Sequence, residues 1–127
     1  MDISNEQFEE VIQRAVDDLP EKFKEKINNV AIIIEDLPTK EIIKKSKLGN
    51  NAILFGWYEG YYQSRKINVG PVLPDRIILF KNNICKYSSD EKGLKETIIN
   101  TVKHEIAHHF GSNEIGAQKA AKNAFID

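Results

Sequence analysis

All three histidines of the chain fall within positions 104–109, in the run His104-Glu105-Ile106-Ala107-His108-His109 followed by Phe110-Gly111-Ser112-Asn113-Glu114. Histidines four apart on a helix stand one turn above each other, with Cβ atoms about 5–6 Å apart. At that separation two imidazoles can converge on one cation, at roughly 2.0–2.1 Å each for zinc. Glu105, directly after the first histidine, would sit beside a metal-activated water, where a proton acceptor is useful. Gly111 can adopt the left-handed conformation that stops a helix and turns the chain back. Glu114 is thereby brought within reach as a third ligand, a carboxylate oxygen binding zinc at about 2.0–2.2 Å. The competing reading of His104 and His108 is an exposed surface pair. For Glu114 it is an acid in the first turn of a following helix, where it offsets the helix dipole.

The elements that must position these groups follow from periodicity. Asp90 is suited to cap a long helix ending at Gly111, with Leu94, Ile98, Ile99, Val102, Ile106 and Phe110 as its apolar members. At about 100° per residue these fall on one side, while His104 and His108, with Thr97 and Thr101, fall on the other. The helix should present a greasy back to a core and a polar front to a cleft. His109 falls on the apolar side, where a structural histidine beside the site is favoured over a ligand. Upstream, Ser4 with Gln7 reads as a capping box for an amphipathic helix through Leu19, and Pro20 opens a second short helix.

Three strands are expected. Residues 30–35 form a continuous β-branched run, 53–60 a second strand whose glycines allow a bulge or a close backbone approach, and 76–81 a third. The third is a candidate edge strand for pairing with an extended peptide. Residues 39–48 are lysine-rich and helical in pattern, 61–75 read as a connecting loop, 82–87 as a short helix and 113–125 as a last, alanine-rich helix. Neither an internal repeat nor a domain boundary is apparent, so residues 1–127 are expected to form a single domain.

Eighteen basic against nineteen acidic residues leave a net charge of −1, without the electrostatic footprint of a nucleic-acid or anionic-membrane partner. No apolar run approaches the roughly 18 residues needed to span a bilayer. The acidic, polar start lacks the positive residues and apolar core of a secretory signal, and the single cysteine, Cys85, cannot form an internal disulfide. A cytoplasmic protein with no inhibitory leading segment is expected.

The spacing resembles the extended metzincin pattern, His-Glu-x-x-His-x-x-Gly-x-x-His, with Glu114 in the third-ligand position. The only methionine is Met1, so no methionine turn underlies the site, and no glutamate lies downstream of Glu114 to act as in gluzincins. Asp18-Leu19-Pro20, Val30, Ile34-Glu35-Asp36-Leu37-Pro38, Gly56-Trp57-Tyr58-Glu59-Gly60, Leu73-Pro74-Asp75-Arg76-Ile77 and the block from Thr101 to Gly111 resemble, in order, the small bacterial minimal-zincin metallopeptidase-like family. The resemblance runs from Phe8 to about Asn123, and its last block is the most specific. It implies an α+β zincin-like fold: a short, mostly antiparallel or mixed three-stranded sheet packed on helices that include the motif helix. It further implies one zinc ion held by His104 and His108, with Glu105 as catalytic acid/base. Where that family usually has aspartate, this chain has Glu114, one methylene longer.

The function expected is zinc-dependent peptide-bond hydrolysis, with Glu105 as general base and a peptide or protein as substrate. The alternatives are a metal-binding protein without peptidase activity that serves a regulatory partner, and a metal-dependent ribonuclease. Against the ribonuclease stands the near-neutral charge. Substrate-binding residues are not identified by the motif; Tyr58, Tyr61, Tyr62 and Arg65 could polarise a carbonyl but equally suit strand packing and loop surface.

Overall fold

The computed structural model describes residues 1–49, 53–60 and 74–110. Along the chain these form helix α1 (Asn5–Asp17), α2 (Glu21–Ile27), strand β1 (Val30–Glu35), α3 (Lys40–Ser46), β2 (Gly56–Glu59), β3 (Asp75–Phe80), α4 (Lys81–Lys86) and α5 (Glu91–Phe110). The expected helix over 113–125, the Gly111 turn and most of the 61–75 loop lie outside the described residues.

Local chemistry accounts for the helix ends. Ser4 Oγ accepts from the Gln7 amide at 3.1 Å, while the Gln7 side chain accepts from the Ser4 amide at 2.9 Å, closing the capping box of α1. Thr39 caps α3 through the Ile42 amide at 3.1 Å. Asp90 caps α5 by accepting from the Gly93 amide at 2.7 Å, which satisfies a donor the helix itself leaves unpaired.

The sheet is mixed, in the order β1-β3-β2. β1 runs parallel to β3, pairing Val30 with Asp75 through Glu35 with Phe80, and β2 runs antiparallel to β3, pairing Gly56 with Leu79 through Glu59 with Arg76. The third strand is therefore central, and the expectation that it forms an edge is corrected. A later strand has been inserted between two earlier ones, so within this sheet it is β1 and β2 that end the ladder. The second strand is also shorter than its apolar run, starting at Gly56.

Successive side chains of a strand point to opposite faces. On one face Ile32, Ile34, Ile77, Leu79 and Tyr58 join the main core with Phe8, Val11, Ala15 and Phe23 from the first two helices, Leu19 between those helices, and Leu94, Ile98, Val102 and Ile106 from α5. On the other, Ile33, Ile78, Phe80 and Trp57 pack with Ile42 and Ile43 of α3. Each fully buried aliphatic or phenyl side chain contributes about 1.5–3 kcal/mol relative to exposure. Leu94, Ile98 and Ile106, buried without remainder, make α5 a rigid mount for whatever its other side carries.

That other side is not open along its whole length. Thr101, expected on a polar front facing a cleft, is 4% exposed, and Glu105 is 3% exposed, because β2 lies across them. Ile99 and Phe110, expected in the apolar stripe, are only partly buried at its margin.

Candidate metal centre

The contact between β2 and α5 is made by a glycine. A Cβ placed on Gly56 would stand 2.7 Å from Thr101 Cγ2 and 3.2 Å from the Ile78 carbonyl oxygen. Its φ lies outside the left-handed region, so the requirement is for space alone. The close backbone approach read from the glycines of this strand is realised here. It lets the strand descend until the Tyr58 amide donates to Glu105 Oε1 at 2.9 Å. Such a bond to a buried carboxylate is charge-assisted and stronger than a neutral one. It fixes the side chain between the two histidines in a single orientation.

His104 is half-buried and His108 exposed, one turn further along α5. Their ring centroids are 5.8 Å apart and their planes 28° from parallel. Two imidazoles on one zinc ion cannot have centroids more than about 6.3 Å apart, given roughly 2.0–2.1 Å to each nitrogen and about 1.1 Å from nitrogen to ring centre. That ceiling is for a linear arrangement; at zinc's tetrahedral angle the centroids stand about 5 Å apart, so the rings must close by somewhat under 1 Å to share one ion, for which neutral imidazole nitrogens are a suitable donor type. Among the described residues no group of three or more His, Cys, Asp or Glu side chains could hold a metal ion. Glu114, expected as the third ligand, lies outside the described residues.

His109 does not join the other two. Its ring stacks on Tyr58 with centroids 3.9 Å apart and planes 14° from parallel, and meets the edge of Phe110 at 4.8 Å. Its Nε2 is 3.9 Å from Asp75 Oδ2, the same oxygen to which the Tyr58 hydroxyl donates at 2.8 Å. Burial, then the hydrogen bond to the Asp75 carboxylate, push the Tyr58 phenol well above the usual range, so it remains a donor across neutral pH. Tyr58 thus ties the end of α5 to the start of β3 with its side chain while its amide holds Glu105. Beside it, Arg76 pairs with Glu59 across the β2–β3 ladder at 2.6 Å.

Neither Asp75 nor Gly56 stood out as a functional residue in the sequence. Asp75 occurs in one of the short blocks quoted above, but nothing in its spacing ties it to a tyrosine seventeen positions earlier. Of Tyr58, Tyr61, Tyr62 and Arg65, the structure brings Tyr58 to the site, while the other three lie outside the described residues.

Beside Glu105 opens a cleft of ≈ 430 Å³, lined by Glu105, His108 and His109 of α5, by Lys45, Ser46 and Lys47 at the end of α3, and by Trp57 and Tyr58. A space of this size beside a fixed carboxylate and the His108 imidazole suits a polar substrate. Residues 27–120 match the family model of zincin-like metallopeptidases. The chain belongs to that family. The match spans all three strands and the whole of α5, so the family assignment and the observed α+β fold rest on the same elements. A comparison with curated proteins gave no match. No described helix is long and apolar enough to cross a membrane.

Proposed function

We propose that this member of the zincin-like metallopeptidase family hydrolyses peptide bonds with one zinc ion held by His104, His108 and Glu114, and with Glu105 as general base. The observation that carries the reading is the Glu105 carboxylate, buried between the two histidines and held by the Tyr58 amide at 2.9 Å. An ordinary surface glutamate of a helix has no reason to be 3% exposed with a strand amide aimed at it. The family supports zinc as the ion in general terms.

A zinc ion bound there supplies Lewis acidity, polarising a carbonyl and bringing the pKa of a water toward about 7. Glu105 takes the proton of the attacking water and delivers it to the leaving amine, a role worth typically 10²–10⁴-fold. The Tyr58 amide holds the carboxylate in one rotamer, so the base needs no reorientation during the reaction. His104 and His108 are set on the rigid helix whose back is the core, which keeps their separation fixed.

Incubation of the purified protein with unstructured peptides, with and without chelator, tests this reading. Cleavage that chelator stops is expected from the native chain. Glu105→Gln should lower turnover at least about a hundredfold while zinc remains bound. Undiminished turnover in Glu105→Gln, or chelator-sensitive degradation of RNA without cleavage of peptide, would overturn it.

A further inference from the structure

We infer that the cleft beside Glu105 selects an extended peptide carrying an acidic side chain, which Lys45 and Lys47 receive. The inference deepens the peptidase reading of the same site and rests on it for the position of the scissile bond. Two of the three residues that the C-terminal end of α3 and its cap contribute to the cleft lining are lysines, and Glu105 and His108 line the same cleft. A chain lying extended in the cleft presents successive side chains to opposite walls. When one of its carbonyls lies beside Glu105 and His108, a neighbouring side chain points at the end of α3.

Ordinary helix chemistry does not account for both lysines. Lys45 pairs with Glu41 at 3.1 Å, one turn earlier, but both side chains are more than half exposed, and such a pair exchanges readily for another carboxylate. Basic residues also offset the dipole in a last turn. Lys47 is different. It ends α3 in the left-handed conformation, φ 61° and ψ 19°, where glycine or asparagine is preferred, and it is the only non-glycine residue at positive φ among the described residues. Among the described residues its ammonium has no carboxylate partner. A left-handed backbone that sets in the cleft lining a lysine without a carboxylate partner among the described residues suits recognition of an anionic side chain.

The test uses two matched sets of alanine-rich octapeptides, one with a single glutamate scanned through the positions and one with glutamine in its place. Cleavage by the zinc-loaded protein is followed by mass spectrometry, and binding to Glu105→Gln by fluorescence anisotropy. Glutamate at one position should improve cleavage and binding about three- to tenfold over glutamine, the range of one partly screened ion pair. The double variant Lys45→Ala/Lys47→Ala should lose the difference, and Lys47→Glu should shift the preference to lysine in a third set. No difference between the sets, or a difference that survives in the double variant, overturns the inference. If no peptide is cleaved but glutamate still favours binding in a lysine-dependent way, the peptidase reading fails and the inference stands. If nothing is cleaved and nothing binds, both fail.

Discussion

Replacing Gly56 by alanine tests whether β2 is held on the motif helix by shape. The new Cβ would stand 2.7 Å from Thr101 Cγ2, well inside contact distance, with the Ile78 carbonyl at 3.2 Å on another side. Thr101 cannot swing its methyl away cheaply, because its hydroxyl donates to the Thr97 carbonyl at 2.7 Å and the residue is buried. Overpacking of this kind costs about 1–3 kcal/mol. The strand must lift, which lengthens the Tyr58 amide bond to Glu105, so turnover should fall along with stability. Thr101→Ser removes the offending methyl and retains the hydroxyl, at a cost of about 0.5–1.5 kcal/mol by analogy with Ile→Val. In the double variant the alanine Cβ gains the space that the methyl vacated. Alanine also lowers the entropy of the unfolded chain relative to glycine, by about 0.4–1 kcal/mol at a compatible backbone. Urea denaturation of the four proteins in a double-mutant cycle should therefore give a coupling of about 1–2 kcal/mol, the double variant being more stable than the sum of the singles predicts. Additive single costs, or Gly56→Ala as stable as the parent, would refute the reasoning.

Two further outcomes are expected. Tyr58 should ionise above the ordinary tyrosine range in an alkaline absorbance titration, a phase that Tyr58→Phe removes. Its raised folded pKa means that its contribution to stability is intact below the unfolded value of about 10 and is lost as pH rises through the folded one, so the parent's stability in urea melts should fall above about pH 10 more steeply than that of Tyr58→Phe, which has no phenol to ionise; equal slopes would refute this. Zinc at about a hundredfold over its dissociation constant should stabilise the fold by about 2.7 kcal/mol, raising Tm by about 10 °C, and His104→Ala or His108→Ala should abolish that rise in a thermal melt.

Much of this arrangement was legible in the sequence, for identifiable reasons. Ser4 with Gln7, Thr39 and Asp90 announce helix starts because their oxygens satisfy amides a few residues away, a purely local matter. The β-branched run of β1 announces a strand equally locally. The spacing of His104 and His108 requires only that the helix form. Strand order was not legible. Val30–Glu35 and Asp75–Phe80 pair in parallel across some forty intervening residues, and nothing in either segment says which becomes central. Helical periodicity put Thr101 on the side away from the apolar stripe, but it cannot say that a second strand covers that side. The bond from Tyr58 to Glu105 and the shared Asp75 oxygen depend on that covering, so they emerge only with the tertiary structure.

The central claim concerns one ion between two imidazoles next to a fixed carboxylate. Crystals grown in zinc and measured on both sides of the zinc absorption edge test it most directly. The account predicts an anomalous peak about 2.0–2.1 Å from one ring nitrogen each of His104 and His108, with a Glu114 oxygen at about 2.0–2.2 Å and Glu105 close by but not bound. Fully loaded crystals with the peak elsewhere, and these two rings turned apart, would contradict it.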